Sequence, residues 1–220
     1  MVIPVKARHL HGFGATVLLL AAAGLAWYGQ PSSMEKWSFM AAELQPRLLN
    51  REVQIEPAEL LHLMHDDYID LRLVDVRDER DWNLFHLWGA QRIPPFAQLE
   101  AQRESFATLP ENGVIVLVSN DEVLATQAWK LVMASANKPN VYILAGGINR
   151  WLREFTPEKN GRGAIEADTV KPDGTFRHSF EWALGSRHPA SLPNPHDFET
   201  LQYTKKVKLQ TRVVKKGGCG

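Results

Sequence analysis

The residues best placed to do chemistry in this chain of 220 residues are Ser119, Asn120, Asp121 and Glu122. They follow a run of five apolar residues, 114–118 (Val-Ile-Val-Leu-Val), and precede Val123, Leu124, Gln127, Ala128 and Leu131 at helical spacing. The first stretch reads as a buried parallel strand and the second as a helix. A strand that feeds straight into a helix leaves unpaired amides at the turn, where α/β domains place anions and nucleophiles. This turn holds no cysteine, glycine or base. Ser119-x-x-Glu122 instead matches a capping box, with the hydroxyl on the Glu122 amide and the carboxylate reaching back to the Ser119 amide. Val118 and Val123 would supply the accompanying hydrophobic staple, and Asp121 and Glu122 would fill the anion position with the protein's own charge. No Gly-x-Ser-x-Gly elbow is present, so the cap is favoured over a serine nucleophile.

Other reactive side chains are scattered. The single cysteine, Cys219, sits in Gly217-Gly218-Cys219-Gly220 beside Lys215 and Lys216, which favour its thiolate. One thiol allows no internal disulfide and no four-cysteine zinc site. His178, His188 and His196 are separated by ten and eight positions, which fits no standard metal-ligand pattern. No metal and no cofactor are expected. The 25 basic and 25 acidic side chains balance, which argues against a dedicated nucleic-acid binder.

The elements that must carry these residues can be read in order. Positions 12–29 hold no charged side chain and are mostly apolar. A bilayer core needs about 20 apolar helical residues, so the stretch just qualifies as a transmembrane helix. Lys6, Arg8, His9 and His11 precede it, which by the positive-inside rule keeps residues 1–11 in the cytoplasm and the main domain on the periplasmic side of the inner membrane. A cleaved signal peptide, cut after Ala21-Ala22-Ala23 or Gly24-Leu25-Ala26, is the alternative. Residues 30–50 form a connector helix capped by Ser32 or Ser33, which should end at Leu44 before Pro46. Its Trp37, Met40, Ala41 and Leu44 stripe is expected to pack on the domain or lie at the membrane surface.

Residues 51–155 alternate strands and helices. Glu56-Pro57-Ala58-Glu59 opens a helix, 71–76 is a short strand ending at Asp75 and Arg77, and 141–144 is a further strand. Ala145-Gly146-Gly147 then turns into a helix with Asn149, Arg150 and Trp151. The fold class is α/β, with a parallel sheet covered by helices on both faces.

At this point the residues resemble a known family. Leu73-Val74-Asp75-Val76-Arg77 resembles the rhodanese strand that ends in Asp-x-Arg. The stretch Phe85-His86-Leu87-Trp88-Gly89-Ala90-Gln91-Arg92-Ile93-Pro94 resembles the family's Gly-His-Ile-Pro-Gly-Ala-x-x-Ile-Pro. Gly146, Gly147 and Trp151 fall in a segment resembling its closing Leu-x-Gly-Gly-x-x-x-Trp. The resemblance implies a sulfurtransferase-type fold, with a pocket lined by Asp75, Arg77, His86, Ser119, Asn120, Asp121, Glu122, Gly146 and Gly147. It places Ser119 where active members carry the persulfide-bearing cysteine, and a serine hydroxyl cannot hold a transferable sulfur. Phe85 and Trp88 replace the family's Gly and Pro and should add bulk near the site. His86 is expected to pack and hydrogen-bond near the turn, and Asp75 and Arg77 to pair.

Residues 156–220 lie outside the resemblance. Phe176, Phe180, Trp182 and Leu184 are too aromatic for a solvated linker and should pack on the domain or a partner. Val207, Leu209, Thr211 and Val213 alternate with polar residues, which predicts an edge strand. The expected role is a membrane-anchored, catalytically degenerate rhodanese-like module that binds a protein or a small ligand, with an accessory subunit of a membrane complex as one form of that role. The alternative is a sulfur-handling protein that uses Cys219 as a persulfide or redox carrier.

Overall fold

The computed structural model describes residues 17–20, 24, 32–93, 106, 110, 113–136, 140–156, 172–198 and 201–209. Cys219 and most of the expected span at 12–29 lie outside the described residues. Within that span 17–20 and 24 are helical, and no helix among the described residues is long and apolar enough to cross a membrane.

Helix α1 (Ser33–Leu49) begins at a capping box in which the Glu35 amide donates to Ser32 Oγ and the Ser32 amide to the Glu35 carboxylate. It does not stop at Leu44 as expected but runs through Pro46. Proline forfeits one helical bond. Here its ring faces solvent while Leu44 and Leu48 on either side are buried. Packing of both ends outweighs the local break.

Strand β1 (Gln54–Ile55) leads to α2 (Pro57–Met64), then β2 (Asp70–Asp75), α3 (Glu79–Leu84) and β3 (Gln91–Arg92). After these come β4 (Gly113–Val118), α4 (Val123–Ala136), β5 (Val141–Leu144) and α5 (Gly147–Phe155). The strands form a five-stranded parallel sheet in the order β1-β5-β4-β2-β3. Every residue of β4 is buried, as its uninterrupted apolar run requires. Successive side chains alternate between faces. Ile115 and Leu117 join Trp129, Val132 and Met133 of α4 and Trp37, Leu44 and Leu48 of α1 in one core. Val114, Val116 and Val118 join Leu60 and Leu61 of α2 and Trp151, Leu152 and Phe155 of α5 in the other. The connector stripe therefore packs on the domain, with Trp37 edge-on to Trp129 at 6.0 Å.

The second core is completed by the C-terminal segment. Phe176, Phe180, Ala190, Phe198, Val207 and Leu209 all pack into it. The Trp151 indole N–H donates to Ala190 O at 2.7 Å, and Phe155 meets Phe198 edge-on at 5.0 Å. Trp182 instead remains exposed. The edge strand predicted over 207–213 does not form in its described part, since residues 201–209 have no strand pairing. Strand β1 is only two residues long and offers little ladder to extend. The amides of Lys206 and Val207 donate instead to Glu59 Oε1, each at 2.8 Å, and Lys206 Nζ donates to the carbonyls of Arg51 and Gln54. A side chain on α2 holds the segment that backbone pairing was expected to hold.

Candidate functional site

The site grows from the C-terminal ends of β2, β4 and β5, where a parallel α/β sheet presents its loops. Asp75 closes β2, and Arg77 folds back onto it. Asp75 Oδ1 accepts from the Arg77 amide at 3.0 Å and from Nε at 2.9 Å, while Oδ2 accepts from Nη2 at 2.6 Å. Both side chains are fully buried. Two further guanidinium N–H groups reach Phe85 O at 2.7 Å and Asn120 Oδ1 at 3.3 Å. A buried charge pair is tolerable only with additional hydrogen bonds, and these two supply them.

The turn after β4 is locked to the start of α5. Ile148 N donates to Ser119 O and Asn149 N to Asn120 O, both at 2.9 Å. This close approach needs glycine at 147, whose φ is 61°. A Cβ there would collide with the carbonyl oxygens of Ser119 and Asp121. Gly146, with φ 69°, donates its amide to Glu122 Oε1 at 2.8 Å.

The capping box expected at Ser119 is not formed. Arg51 grips the Glu122 carboxylate through two N–H groups, at 2.7 and 3.1 Å, and Gly146 holds the same group. That carboxylate is no longer free to reach the Ser119 amide. Ser119 Oγ donates instead to Asp121 O at 2.6 Å and accepts from Ala125 N at 3.2 Å. Asp121 Oδ1 takes the amide of Val123 at 2.8 Å. Nor is there a staple, since Val118 is buried but Val123 is exposed.

A strap from the C-terminal segment then crosses the turn. Gly174 N donates to Asp121 Oδ2 at 2.7 Å, and Asn120 Nδ2 donates to Gly174 O at 2.9 Å. Asn149 holds the next residues: its Nδ2 donates to Thr175 O at 2.8 Å and its Oδ1 accepts from Arg177 N at 2.9 Å. His178 Nε2 donates to Asn149 O at 3.1 Å. Burial pushes the His178 imidazole below its usual range, with Arg153 adding to the effect. His188 is lowered by burial and by His178. Phe176 lies over the guanidinium of Arg77, 5.8 Å from ring centroid to Cζ, and Phe180 stacks on Phe85 at 6.2 Å.

Asp75, Arg77, Asn120 and the strap thus meet at one place, while Ser119, Asp121, Glu122, Gly146 and Gly147 knit the neighbouring turns. His86 does not join them. Its ring stacks on Trp82 at 3.7 Å, its Nδ1 bonds Trp82 O, and its carbonyl accepts from Ser191 Oγ. Phe85 is buried in the core and gives its carbonyl to Arg77, whereas Trp88 points to solvent and bonds Ser191 O only through its amide. The roles of Gly174, Thr175 and Asn149 escaped the sequence reading, although the aromatic content of the segment had signalled packing. Among the described residues, no group of three His, Cys, Asp or Glu side chains is placed to hold a metal ion.

Chemically, this arrangement spends its donors and acceptors on itself. Ser119 is 1% exposed and its Oγ contacts a carbonyl and an amide, not a base. Nucleophilic serine needs a base within hydrogen-bond reach. Ser119→Ala should destabilise the fold by about 1–3 kcal/mol by stripping two buried backbone groups of a partner. Ser119→Asp should cost more, because a buried carboxylate would face the Asp121 carbonyl. Urea titration of both variants checks the order, and an aspartate variant as stable as wild type would refute this account of the turn.

A family model, "Rhodanese-like domain", matches residues 56–154. The chain is 34% identical over 104 residues to "Probable adenylyltransferase/sulfurtransferase MoeZ" of Mycobacterium tuberculosis, a match that covers 47% of this chain and 26% of that protein. The chain thus spans about a quarter of the length of the curated relatives it matches. Among solved structures, the rhodanese-like domain from Anabaena sp. Alr3790 aligns at 22% identity and a TM-score of 0.40, covering 58% of this chain and 98% of that one. The polysulfide-sulfur transferase homodimer from Wolinella succinogenes aligns at 17% identity and a TM-score of 0.37, covering 52% and 88%. On the match over 56–154 and the 34% relative, this part of the chain is a rhodanese-like domain related to the sulfurtransferases.

Proposed function

We propose that this chain is a membrane-anchored rhodanese-like module that binds a protein partner and does no sulfur transfer at the rhodanese position. In this reading residues 12–29 anchor it in the inner membrane, with the N-terminus in the cytoplasm and the domain on the periplasmic side. The module then serves as an accessory subunit of a membrane complex. Serine stands at the family's cysteine position, and a hydroxyl, far less acidic than a thiol, is no carrier of sulfane sulfur. One observation carries the non-catalytic part. The turn that would cradle a persulfide has Ser119 buried, the Asp121 carboxylate bound to Val123 and Gly174, and the strap laid across it. An anion entering there would have to displace the protein's own carboxylate and the strap together.

The test is thiosulfate:cyanide turnover by the full chain and by Ser119→Cys. Both should be inactive, because a thiol at 119 would be as enclosed as the hydroxyl. Turnover by the full chain that survives Cys219→Ser would overturn the proposal. Turnover that disappears with Cys219 would move the chemistry to the C-terminal thiol.

A further inference from the structure

Helix α1 has two apolar faces, and the domain uses only one. Trp37, Leu44 and Leu48 are buried, and Met40 and Ala41 pack beside them against α4. On the opposite side Phe39 is 83% exposed and Leu49 72%. Ala42 and Pro46, also exposed, lie between them. Positions 39, 42, 46 and 49 fall within one arc at 100° per residue and extend about 15 Å along the axis. Glu35 falls inside the same arc, one turn before Phe39, and the other polar residues flank it. Glu35 is tied into the capping box and Ser38 Oγ donates to Glu35 O, which leaves Glu43, Lys36 and Arg47 along one rim. An unpartnered apolar stripe with a mixed-charge rim is unusual on a helix that already has a core to pack against.

We infer that this outer face is seated in the headgroup region of a lipid bilayer, with α1 lying parallel to the membrane plane. The inference rests on the membrane-anchored reading above and adds where the domain sits. The charge-free apolar stretch 12–29 ends three positions before Ser32, and side chains within it at 17–20 are exposed, from 50% at Val17 to 72% at Leu18. Ser32 has extended backbone, φ −61° and ψ 158°, and its capping box starts a new helix there. Helix α1 therefore has its own start at Ser32. A helix that begins beside a charge-free apolar stretch and shows an apolar side outward has the features of an interfacial helix, whose apolar face sinks about 5–10 Å into the headgroup boundary. A second copy of the chain fits less well. One aromatic side chain offers roughly 150–250 Å², and with three smaller residues the stripe falls short of the ~800 Å² per partner of a stable interface.

The test uses the full chain with Cys219→Ser, which leaves it free of cysteine. Single cysteines are placed at Phe39, at Leu49 and, as a control, at Tyr68, which is 51% exposed beyond α2 on the other side of the sheet. Each is labelled with a nitrobenzoxadiazole dye and reconstituted into phosphatidylcholine–phosphatidylglycerol vesicles containing lipid with a doxyl group on the upper acyl chain. Since the native side chains are exposed, the substitutions spare the core. The protein should float with the vesicles, and quenching at 39 and 49 should exceed that at 68 severalfold. Flotation with equal quenching at all three positions would overturn the seating while leaving the anchor intact. Failure to float would remove the anchor and the inference with it. Dye–dye quenching at 39 that vanishes on dilution with unlabelled protein, without lipid quenching, would assign the face to a second copy and overturn the inference.

Discussion

Arg77→Ala is expected to lower folding stability by roughly 3–5 kcal/mol, among the largest effects of any single substitution in this chain. The change leaves the Asp75 carboxylate fully buried without its partner, since both side chains are 0% exposed. It also strips the Phe85 carbonyl and Asn120 Oδ1 of their donors. Arg77→Lys should recover only part of the loss, because an ammonium cannot reproduce the planar fork that meets both carboxylate oxygens. Guanidinium denaturation of the three proteins measures this directly. An alanine variant within about 1 kcal/mol of wild type would place the pair in the range of a solvated surface bridge.

Truncation after Thr156 is expected to abolish cooperative folding, even though it removes only residues beyond the match at 56–154. The cut takes away the packing of Phe176, Phe180, Ala190, Phe198 and Val207. Phe155, Trp151 and Phe85 lose covering, Trp151 Nε1 loses Ala190 O, and Glu59 loses two amide donors. Uncovering a large apolar side chain costs about 1.5–3 kcal/mol. Several such losses consume the whole of a typical 5–15 kcal/mol stability. Truncation after Leu209 retains all these contacts and should leave the transition nearly intact. Thermal melts by circular dichroism, with dye binding to exposed apolar surface, separate the two cuts. A sharp transition in the shorter chain would reduce the C-terminal segment to a surface covering.

Features that depend on neighbours in sequence were legible from it. The unbroken apolar run made β4 a buried strand, and Gly146-Gly147 marked a turn that needs positive φ. Asp75 and Arg77 sit two positions apart and pair as their spacing suggested. Two stretches of the form Ser-x-x-Glu show where such reading stops. At Ser32 the box forms because Glu35 has no stronger partner nearby. At Ser119 it fails because Arg51 and Gly146, distant in sequence, claim Glu122. Pro46 is a local stop signal, yet the helix runs through it because the leucines on either side are buried. The strap was harder still, since Gly174 and Thr175 contribute backbone groups whose partners no side-chain pattern reveals.

The Glu59 clamp also sets the order in which the domain can be completed. Glu59 meets Lys206 across 147 positions, and Lys206 reaches Arg51 across 155. Neither contact can form until residues 201–209 are free to reach α2 and β1. Until then, the face of the sheet carrying Trp151 and Phe155 lacks its cover, and apolar surface exposed in this way invites self-association. Contacts of such sequence separation also slow folding, because the loop must close before they contribute. The hazardous interval for this fold is therefore the time before residues 176–209 close over the second core.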